Sequence, residues 1–442
     1  MRSKSNLIVF LLSISFLIFY TLNLTPVFSD ETIYINMAKS IANGLLPYKN
    51  FFYAHPPFQL FILTPMATTN NFVLVKIFIA LIGLISILLT YLIAKEIFNE
   101  KIAITAFVFF LIFPGFLIFG TQAMGMFEAL LFFLISFYLI LKKKLTFSAL
   151  FFVVSFFTRY LAILLFPLLI FYIYKNFKKK EFFRFIGFVF LFSTIAFVLL
   201  ISVFGVSYVN YTISYHLSAN LKSEIGIANW VDQYLVIGYF TIFLSFFALT
   251  YGYIKKVFLI ILFSLYPLIY DLLILLLLKQ AIYHYFILPL PLLFISISAT
   301  FWRSKFYSLM FFIVAVISLS IYTNLANISL YYNREKNKVF QELIDYTLNN
   351  TNEKDLIFGE PRSLNYVSFV TNRKIVNNYF DSDLKFINFV GKEKVLNEVK
   401  KAKPKLIFAN QFYLDFFKED YEIVKEWNEP GYYHMFLMKL KE

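Results

Sequence analysis

The 442-residue chain has no cysteine, which removes structural disulfides, thiolate nucleophiles and thiolate metal sites from consideration. Charge is scarce: 15% of residues are Asp, Glu, Lys or Arg, where an ordinary soluble domain has about a quarter. What abounds is apolar, with 60% hydrophobic residues, 60 Phe and 31 Tyr. Runs such as "NLIVFLLSISFLIFYTLNL" and "FFRFIGFVFLFSTIAFVLLISVFG" reach the roughly 20 apolar residues a bilayer span needs. The chain reads as a polytopic α-helical membrane protein. Its net charge of +14 is then explained by loop placement and does not point to nucleic acid.

Loop charge sets an expected orientation. Lys and Arg gather at Arg2 and Lys4, Lys95 and Lys101, Lys142 to Lys144, Lys175 to Arg184, Lys255 and Lys256, and Arg303 with Lys305. Loops around Asp30, Gly120, Ser207 to Asp232 and Lys279 are poorer in cations. By the positive-inside rule the first set is cytoplasmic, and the N-terminus with it. The alternation fits about eleven spans, starting near residues 7, 72, 102, 126, 145, 160, 185, 233, 257, 283 and 306. The pieces 145–157 and 160–174 are short and also fit one re-entrant hairpin; either way the chain returns to the cytoplasm. No small-x-small cleavage site follows the first run, which reads as a retained anchor in the plasma membrane.

Composition changes near Tyr331. "KVFQELIDYTLNN" and "KEKVLNEVKKAK" have helical spacing, while "DLIFG", "PKLIFAN" and "GYYHMFLMKL" read as strands. This predicts a membrane domain over 1–330 and a small extracytoplasmic α/β domain over 331–442. The latter carries no glycine-rich phosphate loop, and the chain shows no internal repeat.

The first external loop, 25–71, interrupts the oily N-terminus with "SDETIYINMAKSIANGLLPYKNFFYAHPPF". Asp30 can cap the helix "ETIYINMAKSIA", and Glu31 in its first turn suits the dipole. With Ile33, Met37 and Ile41 apolar, this helix is expected to lie along the membrane surface. The "GLLPY" turn and the corner at His55-Pro56-Pro57 would fold the loop back over the membrane. Two carboxylates at the water–lipid boundary suit a reaction joining a lipid-borne group to a water-borne one.

The spacing Asp30-Glu31-x-x-Tyr34-x-x-x-Ala38, then Gly44-x-x-Pro47-Tyr48, then His55-Pro56-Pro57 resembles the first external loop of GT-C glycosyltransferases. The nearest group is the protein O-mannosyltransferase and lipid A aminoarabinose transferase superfamily. The resemblance continues through residues 119–174 and "YHYFILPLPLL", 283–293. It covers the membrane part well and the C-terminal domain loosely. It implies transfer of a sugar, with inversion, from a polyprenyl or dolichyl phosphate donor to a lipid, glycan or protein acceptor outside the cytoplasm. A lipid phosphate leaves without protonation, so the chemistry needs a base for the acceptor hydroxyl and a cation for the phosphate.

By that resemblance Asp30 matches the catalytic base, and Glu31 the adjacent acid that orients the acceptor or supports Asp30. Glu128 stands where relatives usually carry Asp; an acid complementing the helix dipole is the plainer reading. Arg159 matches a basic residue able to fork onto phosphate, or is a snorkelling interface charge. His55, His284 and Tyr285 match positions near the donor phosphate. His216 could join a carboxylate at a divalent metal, as in some relatives, although a lone His is more often no ligand. Relatives often carry an acid near Asn50, and its absence here implies different acceptor contacts. Asp271, inside an apolar run, is an intramembrane candidate without an assigned role. The competing class is a transporter or flippase of lipid-linked sugars, which would place charges near the midplane of repeated halves.

Overall fold

The computed structural model describes residues 9–14, 30–113, 116, 120, 122–222, 238–278, 283–304, 338–427 and 434–441. The chain divides into two compact units, one of Met1–Asn23, Ile77–Ser202 and Asn220–Asn327, the other of Leu24–Lys76, Val203–Ala219 and Ile328–Glu442. The second therefore joins most of the expected first external loop to the C-terminal region.

The first unit is helical, as bilayer physics demands of a chain that must satisfy its backbone internally. Among the described residues, three helices are long and apolar enough to cross a membrane: Phe72–Ile97, Lys179–Phe204 and Phe258–Leu277. This is a membrane protein. Phe190, Leu191, Ile195, Val198 and Leu199 of Lys179–Phe204 are exposed, as a lipid-facing span requires, and Arg184 lies over the Phe188 ring at 5.4 Å. Shorter apolar helices complete the unit, among them Glu100–Leu111, Met126–Leu141, Leu145–Thr158, Gly238–Ile254 and Leu290–Phe301. The expected pieces near 145 and 160 appear as Leu145–Thr158 and as the 3-10 stretch Tyr160–Leu165 running into Phe166–Asn176. The spans expected near 7 and 306 lie largely outside the described residues.

Met126–Leu141 and Leu145–Thr158 form a tight antiparallel pair. Lys143 takes a left-handed φ of 58° in the turn between them, and the Ser136 and Ser148 hydroxyls meet at 3.0 Å. Near the other end Ser155 Oγ donates to the Ala129 carbonyl at 2.7 Å. These small polar residues let the two helix backbones approach closely.

In the second unit a five-stranded sheet runs in the order β2-β1-β3-β5-β4, with β1 Leu356–Gly359, β2 Lys374–Ile375, β3 Leu406–Ala409, β4 Tyr421–Trp427 and β5 Met435–Leu440. β1 pairs in parallel with β2 and β3, and β5 is antiparallel to β3 and β4. Both β1 and β3 are apolar runs buried on two faces. Gly359 ends β1 at φ 145°, where an added Cβ would lie 2.1 Å from the Phe408 carbonyl oxygen. Only glycine fits there. The turn "GLLPY" is built around Gly44 and a left-handed Tyr48, whose ring packs edge-on to Phe204 and Tyr208 at 5.0 and 5.3 Å.

The helix Glu31–Ala42 does not lie on a surface as expected. Residues Glu31 to Ala38 and Ser40 are all buried, because both flanks are covered by other helices of the same unit, Phe58–Ala67 and Pro361–Thr371. Its polar residues Thr32 and Asn36 bond the second of these partners, which is why an amphipathic stripe in the sequence does not mark a membrane face.

Candidate active site

The two adjacent carboxylates of the first loop have different surroundings. The Glu31 side chain is wholly buried, and Lys76 Nζ donates to its two oxygens at 3.0 and 2.8 Å. Lys76 is equally buried, at the start of the Phe72–Ile97 helix. Asp30 keeps 37% of its side chain exposed and accepts from Arg362 Nε at 3.3 Å. It makes no capping bond to its own helix, so the expected side-chain cap is replaced by this ion pair. Of the two acids, Asp30 is the one open to solvent.

His55 and His216 lie in the same unit. Their rings stack with centroids 5.3 Å apart, His55 Nε2 meets the Tyr34 hydroxyl at 3.1 Å, and His216 Nε2 pairs with the Ala54 carbonyl at 2.7 Å. Tyr34 lies one helical turn after Asp30, so its hydroxyl links this pair to the helix carrying the acids. Among the described residues no group of three or more His, Cys, Asp or Glu is arranged to hold a metal ion.

Asp381 and Asp383 belong to the same neighbourhood. Burial, followed by the nearby Asp383 and Asp30 charges, pushes the Asp381 carboxyl well above the usual range. Burial also raises Asp383, whose side chain caps the helix Leu384–Val390 at Phe386 N, 2.7 Å away. Lys385 offsets part of both effects. Burial and the same two aspartates push the Tyr215 hydroxyl up.

The other expected residues lie in the helical unit. The antiparallel pair places Glu128, in the first turn of one helix, and Arg159, just after the last turn of the other, at the same end. Glu128 is fully buried and Arg159 is 6% exposed. The guanidinium donates to the Met124 carbonyl, and its charge acts on both Glu128 and His284. His284 and Tyr285 sit in a 3-10 turn, Tyr283–Ile287, pinned where the Tyr270 hydroxyl donates to the Tyr285 carbonyl at 3.1 Å. Asp271 is buried in the helix Phe258–Leu277 beside that tyrosine. Glu128, Arg159 and His284 are thus brought together, and Asp30, Glu31, His55 and His216 share the other unit.

Sequence reading missed Lys76, Arg362, Asp381 and Asp383. Lys76 had a signal, a lone cation five residues into an apolar run, where ionisable residues are costly and therefore paired. Arg362 had none, because its partner lies 332 positions away.

The chain thus consists of a helical membrane unit and a unit built on a mixed five-stranded sheet. No known family profile matches the chain, and no curated protein matches it in sequence. Solved structures do. ArnT from Cupriavidus metallidurans bound to undecaprenyl phosphate superposes with a TM-score of 0.74 at 10% identity, over 99% of this chain and 98% of that one; its apo state gives 0.73. The Archaeoglobus fulgidus oligosaccharyltransferase AglB, in complex with an inhibitory peptide and a dolichol-phosphate, gives 0.56 at 12% identity, over 99% of this chain and 74% of that one. A further crystal structure of that enzyme contains zinc and sulfate, at 14% identity and a TM-score of 0.56. The chain has the GT-C fold expected from its loop motif.

Proposed function

We propose that this protein is an integral membrane glycosyltransferase that moves a sugar from a polyprenyl or dolichyl phosphate to an acceptor hydroxyl outside the cytoplasm. The observation that carries the reading is the whole-chain likeness to a transferase structure that holds undecaprenyl phosphate. The half-exposed Asp30 supplies the base. In the reaction the acceptor oxygen bonds to the anomeric carbon from the face opposite the phosphate, and the carbon–oxygen bond to phosphate breaks. The acceptor proton passes to Asp30, the electron pair stays on the departing prenyl phosphate, and the configuration inverts.

Glu31 has the supporting role: held by Lys76, it anchors the helix that presents Asp30. Arg159 is assigned to the donor phosphate, since a guanidinium fork suits an oxyanion whose charge grows as the bond breaks. His284 and Tyr285 belong with it, and His55 stands second as a phosphate contact. Residues 1–330 form the membrane domain with the N-terminus cytoplasmic, and 331–442 the extracytoplasmic one. Zinc in one AglB crystal structure makes chelator sensitivity worth measuring, with His216 and a nearby aspartate as the ligands under test. The fold likeness favours transfer over transport.

The test is purification with native lipid and mass spectrometry of what accompanies the protein, followed by turnover of synthetic undecaprenyl- and dolichyl-phosphate sugars. Appearance of the sugar on an added acceptor hydroxyl, with inversion and release of the prenyl phosphate, supports the reading. Lipid translocation without sugar release would replace it with the transporter.

A further inference from the structure

Arg362 follows directly from a strand end. β1 closes at Gly359, where only glycine fits against the Phe408 backbone, and Glu360 N bonds the Phe408 carbonyl at 2.7 Å. Glu360 then caps the next helix by accepting from Ser363 N at 2.9 Å, and Pro361 opens it with a preset φ. The sequence Gly-Glu-Pro-Arg thus fixes the Arg362 backbone at the carboxyl end of β1. β2 and β3 pair with β1 on opposite sides, which makes this end a switch point, the place where open α/β sheets bring functional groups together.

The helix Pro361–Thr371 is then locked to Glu31–Ala42 in a single register. Thr32 Oγ1 donates to the Arg362 carbonyl at 3.0 Å, Asn36 Nδ2 to Asn365 Oδ1 at 3.0 Å, and Lys39 Nζ to the Phe369 carbonyl at 2.8 Å. The steps of four and three along one helix match three and four along the other, so each presents one face and the two run parallel. The first turns therefore lie side by side, and Arg362 Nε reaches Asp30 Oδ1 at 3.3 Å.

We infer that Arg362 is a positioning residue for Asp30: it holds one carboxylate oxygen and leaves the other to take the acceptor proton, so the C-terminal α/β domain forms part of the transfer centre. The inference rests on the glycosyltransferase reading. A carboxylate at a helix start has freely rotating side-chain torsions, and an unguided base loses rate through misalignment; a displacement of about 1 Å costs on the order of a hundredfold. A single Nε–Oδ1 bond to a backbone-fixed arginine supplies the alignment without occupying both oxygens. The partial exposure of the pair, 32% and 37%, leaves room for an acceptor beside it.

The experiment uses the full-length protein in lipid nanodiscs and a panel of synthetic undecaprenyl- and dolichyl-phosphate sugars, with water standing in as the acceptor hydroxyl and release of prenyl phosphate as readout. Arg362→Ala is expected to lower kcat at least about tenfold while KM for the donor stays within about twofold, and Arg362→Lys, which keeps a cation, recovers most of the loss. Unchanged kcat in Arg362→Ala overturns the inference, as does a rise in donor KM with kcat kept, which would make Arg362 a donor contact. Should Arg362→Ala not fold, Arg362→Gln and Arg362→Lys decide: a slower Gln variant beside a near-normal Lys variant supports the role, and equal rates overturn it. Asp30→Asn keeps the two levels apart. If that variant turns over donor normally, the assignment of the base fails; if it is inactive while Arg362→Ala is normal, only the positioning role fails.

Discussion

Lys76 donates to both oxygens of Glu31, at 3.0 and 2.8 Å, with neither side chain open to solvent. The pair ties the helix following the first apolar run to the start of the Phe72–Ile97 helix. Removing one member leaves a buried charge without its counter-ion, which costs about 3–5 kcal/mol, whereas replacing both by apolar groups of similar volume is close to neutral. Glu31→Leu or Lys76→Met alone should therefore lower thermal stability sharply, and the double variant should recover most of it. Melting curves of the detergent-solubilised protein measure this; additive losses in the double variant would mean the pair is not coupled.

Asp30→Asn should abolish transfer and leave expression and melting temperature near wild type. The amide cannot take the acceptor proton, and a positioned base contributes about a hundredfold to ten-thousandfold. Turnover of a verified donor, measured against an independently checked fold, decides. A variant retaining wild-type turnover takes Asp30 out of the mechanism.

Arg159→Ala should weaken donor affinity and turnover together, because a charged hydrogen bond to phosphate is worth about 1.5–3 kcal/mol and grows as the phosphate leaves. Arg159→Lys should restore part of both. Rate against donor concentration for the two variants gives the answer. If neither parameter moves, this arginine has a structural role and the phosphate site lies elsewhere.

Asp381 offers a test of sign. Its folded pKa is raised above the ordinary 3.8, by burial first and then by the Asp383 and Asp30 charges, so the native state holds its proton longer than the unfolded chain does. Stability from this group is therefore lost as pH rises from the unfolded value through the folded one, and the cost is fully present above both. Asp381→Asn should raise the melting temperature at pH 7, with the gain fading as pH falls toward about 4 and both states of the native side chain become protonated. A gain that persists at pH 3 would trace the effect to something other than this titration.

The helical pair 126–141 and 145–158 shows what local sequence could place. Two apolar runs separated by three lysines must turn at the lysines, so Glu128 and Arg159 fall at the same end whatever else the chain does. Apolar run lengths likewise determined that the protein resides in a membrane, and the strands β1 and β3 were legible as short apolar runs bounded by glycine, proline and asparagine. The Asp-Glu loop motif pointed to the GT-C fold that the structure shows.

Tertiary structure decided the rest. Two neighbouring acids are indistinguishable in sequence, yet one meets a lysine 45 positions on and is buried, while the other meets an arginine 332 positions on and stays open. The surface helix expected from Ile33, Met37 and Ile41 became an interior one because Pro361–Thr371 covers its polar side with matching hydrogen bonds. Periodicity reports which side chains share a face, and burial depends on which distant segment arrives to cover that face. Such long-range pairings leave no local signature, so the separate environments of Asp30 and Glu31 emerge only when the chain is folded.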